Sequence, residues 1–118
     1  MAFALPLAGC GGYSDPPGPP AGPGGSTTTI TIRSTGADPR NVTVALGTRI
    51  RWTNSDTRAH EMASDPHPEH DICPDLNAGT IPPGQSRESQ NLVTARTCGF
   101  HDHLFPEQTN LTGTITIR

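Results

Sequence analysis

The sequence contains no lysine: its eight basic residues are all arginine, eleven acids outnumber them, and the formal net charge is −3. That balance supplies no basic face for nucleic acid. Aromatic residues make up only 4% of the chain and hydrophobic residues 31%, so a 118-residue chain of this kind is expected to form one domain with a small core. No apolar run approaches the roughly 18 residues that a membrane-spanning helix requires. Gly-x-Ser-x-Gly, paired-carboxylate and phosphate-loop arrangements are also missing, which leaves hydrolase and nucleotide chemistry without support. Glycine and proline, by contrast, number thirteen each. Both interrupt helices, and their abundance favours strands joined by turns.

The opening "MAFALPLAGC" is apolar up to its cysteine. Its last four residues, "LAGC" (Leu7 to Cys10), resemble the lipobox of bacterial lipoproteins, which implies lipidation of Cys10 after cleavage. Residues 1–10 lack the basic start of a full secretory signal and are read as part of one. Residues 11–25, "GGYSDPPGPPAGPGG", hold eleven Gly or Pro in fifteen positions, too few apolar groups to pack. They read as a Gly/Pro-rich linker, with a reach of roughly 45 Å when extended as polyproline II. The expectation is an exported protein at the periplasm or cell surface, touching the membrane only through a lipid anchor.

From Ser26 onward the apolar residues alternate: Ile30 and Ile32, then Val42, Val44 and Leu46, then Ile50 and Trp52, and finally Leu111, Ile115 and Ile117. A period of two belongs to half-buried strands, and "STGADPR", "ALGTR" and "IPPGQS" supply the turns. The first and last strands, "TTTITIR" and "TGTITIR", are near copies and predict two similar strand environments. About seven short strands over residues 26–118 predict an all-β domain, a Greek-key β-sandwich or small barrel. The polar segment 60–80 breaks the rhythm and holds three of the five histidines. It is expected to be a long excursion between strands, of the kind that carries function.

Soft metal-binding atoms gather after the third expected strand, at His60, His67, His70, Cys73, Cys98, His101 and His103. Several acids (Glu61, Asp65, Glu69, Asp71, Asp75 and Asp102) lie among them, a setting that modestly favours cations. The order "WTNSDTRAHEM" (52–62), a turn-rich gap, "TCGFHDH" (97–103) and a final strand resembles the cupredoxins, the plastocyanin, amicyanin and azurin family of small copper proteins. The resemblance spans Ser26 to Arg118. It implies a cupredoxin-like sandwich with one copper ion on loop histidines at one end, serving electron transfer and not catalysis. His60 matches the family's histidine after an Asn-containing turn, and Cys98 and His101 match its Cys-x2-His before the last strand. Imidazole and thiolate suit copper because together they hold both of its oxidation states. The family's axial methionine has no counterpart here: Leu104 or His103 falls near that place, and Met62 is the only internal methionine.

Two ligand sets follow from the resemblance, and both remain open at this point. In the first, His60, Cys98 and His101 hold copper and Cys73 is free. In the second, Cys73 and Cys98 form the disulfide that an oxidising compartment favours, and copper falls to His60, His101 and His103, with Met62 as a further soft donor. His67 and His70, in "DPHPEHD", have a spacing that suits either a second metal site or solvated loop positions. Phe100 and Phe105 are expected to cover the site. A periplasmic copper carrier or store, and a superoxide-dismutase-like copper site suggested by "HDH", are the alternatives to electron transfer. A disulfide-stapled sandwich that binds no metal is the plainest reading. The implied partner is a redox protein or a copper-trafficking protein, met by a monomer.

Overall fold

The computed structural model describes residues 26–118; Cys10, the signal-like residues 1–10 and the linker 11–25 lie outside them. Eight strands form: β1 (Thr27–Arg33), β2 (Gly36–Asp38), β3 (Asn41–Val44), β4 (Arg49–Asn54), β5 (Met62–Ser64), β6 (Ser86–Glu88), β7 (Arg96–Asp102) and β8 (Gly113–Ile117). They make two four-stranded sheets, ordered β2-β1-β4-β6 and β3-β8-β7-β5. The near-copy strands occupy matching places. β1 runs parallel to β4 in one sheet, and β8 runs parallel to β3 in the other.

Alternation explains how the sheets pack. Ile30 and Ile32 of β1, Ile50 and Trp52 of β4, and Ile115 and Ile117 of β8 are buried, while Thr31, Arg51 and Thr116 between them face away, as a period of two requires. Trp52 meets Phe100 of β7 across the sandwich in an edge-on contact, with ring centroids 5.1 Å apart. Such a pair adds about 0.5–1.5 kcal/mol beyond simple burial. The Trp52 indole N–H donates to the Leu76 carbonyl at 3.2 Å, so the ring also fixes the 3-10 turn Pro74–Leu76.

The pattern misleads at three points. β3 ends at Val44, and Leu46 is exposed in the turn that follows. Leu111 is buried, but in a 3-10 turn (Thr109–Leu111) ahead of β8. "STGADPR" contains the short strand β2 as well as a turn.

The excursion wraps the free edge of the second sheet. It leaves β5, which pairs antiparallel with β7 (Met62 with Asp102, Ala63 with His101, Ser64 with Phe100), and Asp65 extends the ladder by donating its N–H to the Gly99 carbonyl. Cys73 then returns to the interior and bonds to Cys98, 25 positions along the chain. Closing a loop of that length stabilises by about 3.5 kcal/mol on the chain-entropy model. The Ser64 hydroxyl accepts the Cys73 N–H, and the Asn77 side chain accepts the Ser64 N–H. Both ends of the excursion are thereby pinned to one short strand.

Candidate metal centre

The disulfide decides which ligand set the structure can assemble. With its sulfur bonded to Cys73, Cys98 offers no thiolate, and the set of His60, Cys98 and His101 does not form. The second set does not come together either, because β7 remains a strand through Asp102 and successive side chains on a strand point to opposite faces. Cys98 and Phe100 face the core, and Asp102 faces inward with them. Gly99, His101 and, just beyond the strand, His103 face the other way. The sheet itself separates His60 from the His101–His103 pair.

Inside, His60 is completely buried between carboxylates. Its Nδ1 meets Asp102 Oδ2, and its Nε2 lies 2.9 Å from Asp56 Oδ2. Both nitrogens are thus occupied, and the ring bridges the two carboxylates. Asp102 Oδ1 accepts the N–H groups of Glu61 (3.2 Å) and Leu104 (2.9 Å). The Asn54 side chain builds this corner: its Nδ2 donates to the carbonyls of Arg58 and Ile81, and its Oδ1 accepts the Asp56 N–H. Phe105 covers the His60 ring and carries the Arg58 guanidinium on its face at 4.0 Å. Met62 is a wholly buried core residue, and Leu104 is exposed.

Outside, four imidazoles converge. His67, His70 and His103 bring ligand-capable nitrogens within 4.8 Å of one another, and His101 stacks on His70 with centroids 4.8 Å apart and stands edge-on to His67 at 5.4 Å. His70 is held most tightly. Its backbone has φ 55, a left-handed conformation uncommon outside glycine but tolerated by histidine. The Pro66 carbonyl accepts its N–H, and the Asn77 amide donates to its carbonyl. His70 Nδ1 lies 3.0 Å from the Ser64 carbonyl oxygen. A carbonyl only accepts, so Nδ1 carries the proton, and the lone pair of Nε2 points at His103 Nδ1, 2.7 Å away.

Crowding sets the charge state. Desolvation, followed by repulsion from His103, His101 and His70, lowers the His67 pKa below its ordinary 6.5. The neutral, ligand-competent ring is favoured. Within the sandwich, the hydrogen bond from His60 is the largest influence holding the Asp56 carboxyl at about 2.

Both shifts leave the folded protein with fewer bound protons than the unfolded chain, so stability is expected to fall on acidification. The His67 contribution declines below about pH 6.5. The Asp56 contribution, fully present above its ordinary 3.8, is lost as the pH falls toward 2. Thermal unfolding measured from pH 8 to pH 2 checks this; stability that stayed flat or rose on acidification would contradict it.

Sequence reasoning named His101 and His103 but joined them to His60, and it left His67 and His70 between a metal site and a solvated loop. The parity of "CGFHDH" along a strand would have separated His101 and His103 from Cys98 and Asp102. Nothing in the sequence marked Asp102 as a partner of His60, 42 residues away, and Asp56, four residues before His60, sits in a turn whose geometry no local pattern specifies.

No protein-family model matches the sequence, and no curated protein matches it. Solved structures do match the fold. A purple cupredoxin from Nitrosopumilus maritimus superposes with a TM-score of 0.63 at 18% identity, covering 77% of this chain and 99% of that one. Plastocyanin from Dryopteris crassirhizoma gives 0.59 at 17% identity, covering 77% and 100%. A copper(I) amicyanin variant gives 0.59 at 13% identity, covering 78% and 82%. With its two four-stranded sheets in this order, the chain from residue 26 to residue 118 folds as a cupredoxin-type β-sandwich.

Proposed function

We propose that this domain binds one transition-metal ion, copper in the first place, on the imidazoles of His67, His70 and His103, and that it serves as an exported copper carrier. The observation that carries this reading is the convergence of those three nitrogens within 4.8 Å, with the His70 lone pair already aimed by Ser64. Imidazole suits copper, zinc and nickel, and at a nitrogen site copper(II) binds most tightly of the divalent first-row ions. The interior position implied by the cupredoxin resemblance does not fit copper here, since Cys98 is bridged and both His60 nitrogens face carboxylates. Export is supported by the disulfide, which persists in oxidising compartments, and by "LAGC" at Cys10, which favours a lipid anchor at the periplasmic or cell-surface side. The partner in this reading is a copper-trafficking protein, and the domain acts without catalysing a reaction.

Titration of the domain with Cu(II) is expected to show one equivalent bound, no free thiol, and a weak visible spectrum without an intense thiolate-to-copper band. His70→Ala and His103→Ala each remove a donor and are expected to abolish tight uptake. No uptake by the wild type, or an intense thiolate band, would overturn the proposal.

Electron transfer through a redox partner is the second reading, favoured by the fold shared with plastocyanin and amicyanin. The two differ in kinetics: a carrier surrenders copper to a competing chelator, whereas an electron carrier retains it through repeated oxidation and reduction.

A further inference from the structure

His101 is 5% exposed, and among the described residues its Nε2 is the one buried side-chain nitrogen or oxygen with no hydrogen-bond partner. A buried polar atom left without a partner costs about 1–3 kcal/mol, so a sequence that keeps one there calls for a reason. The other ring nitrogen supplies it. Nδ1 lies 2.7 Å from Asp65 Oδ1, and a carboxylate takes the Nδ1 proton as a hydrogen bond. Nε2 is left as a bare lone pair on the ring that stacks against His70 and His67. A lone pair of this kind accepts a hydrogen bond or ligates a metal cation, and its neighbours here are other imidazoles. Room for the carboxylate comes from Gly99: a Cβ there would stand 2.2 Å from Asp65 Oδ2.

The His101 ring lies against the group that His67, His70 and His103 form, without belonging to it in the metal-free protein. We infer that His101 joins that site as a fourth nitrogen donor when the ion binds and that Asp65, admitted by Gly99, is its positioning residue, fixing the tautomer that leaves the Nε2 lone pair free to ligate. This rests on the metal-binding reading above. Residues that hydrogen-bond to metal-ligating histidines fix ring orientation and raise ligand basicity, and losing one typically lowers metal affinity about 10- to 100-fold.

The experiment combines Cu(II) affinity with nitrogen-15 NMR of the metal-free protein. In the wild type, His101 is expected to carry its proton on Nδ1. Asp65→Ala should lose that tautomer preference and bind Cu(II) about 10- to 100-fold more weakly, while Asp65→Asn, which keeps an acceptor oxygen, should lie close to the wild type. Gly99→Ala should reproduce the Asp65→Ala loss by displacing the carboxylate without removing it. A purely structural role for Asp65 would change the melting temperature and leave both tautomer and affinity alone. An Nε2-protonated His101 in the wild type, or unchanged affinity in a folded Asp65→Ala protein, would overturn this role alone. Absence of uptake by the wild type would overturn the metal-binding reading and this role with it.

Discussion

His60→Ala is expected to destabilise the domain by about 3 kcal/mol, the upper end of the usual cost of leaving a buried polar group without its partner, and yet to leave copper uptake intact. Asp102 is completely buried. Without His60, its Oδ2 loses its hydrogen-bond partner, while Oδ1 keeps the N–H groups of Glu61 and Leu104. In a domain of this size the loss corresponds to a fall in melting temperature of roughly 20 °C. Should His60→Ala prove too unstable to purify, His60→Gln retains a donor for Asp102 and permits the same measurement. The informative result is the pair: calorimetry showing a large loss of stability, and titration showing one equivalent of Cu(II) still bound. A folded His60 variant that no longer takes up copper would mean that His60 is a ligand after all.

Removing the disulfide is expected to have a comparable effect on stability and an additional one on the site. The Cys73→Ala/Cys98→Ala double variant should lose about 3.5 kcal/mol through the freed loop, measurable by denaturant unfolding. It should also weaken copper binding. His67 and His70 are carried by the excursion that Cys73 anchors, His101 follows Cys98 on β7 with His103 just beyond the strand, and among the described residues the bridge is the only covalent tie between the two pairs other than the chain itself. Without it, ordering the excursion must be drawn from the binding energy. Copper affinity equal to that of the wild type would show instead that the Ser64, Asn77 and Asp65 hydrogen bonds suffice to hold the two pairs in register.

The fold was legible wherever apolar residues alternate. Ile30, Ile32, Ile50, Trp52, Ile115 and Ile117 all occupy the core as a period of two requires. Leu46 shows where that reasoning ends, since two residues beyond the end of β3 the alternation continues in the sequence but the sheet does not. The site was legible in composition and obscure in grouping. Clustering identified His101 and His103, but the resemblance treated "CGFHDH" as a loop, in which Cys98 and His101 can turn toward a common point. Because the segment is a strand as far as Asp102, parity divides it between the two faces. His60 then falls on the side of Asp102, and His67 and His70 supply the companions of His101 and His103. That regrouping depends on how the excursion folds back over the sheet edge. It is governed by Asp65 pairing with Gly99 and by the bridge to Cys98, contacts between residues 34 and 25 positions apart, and so lies beyond any local pattern.

On this reading metal binds on the outer face of the second sheet and not inside the sandwich. Anomalous diffraction at the copper edge, from crystals of the Cu(II)-loaded protein, tests it most directly. A single peak among the imidazoles of His67, His70, His101 and His103 is the predicted result; a peak beside His60 and Asp102 would contradict the account.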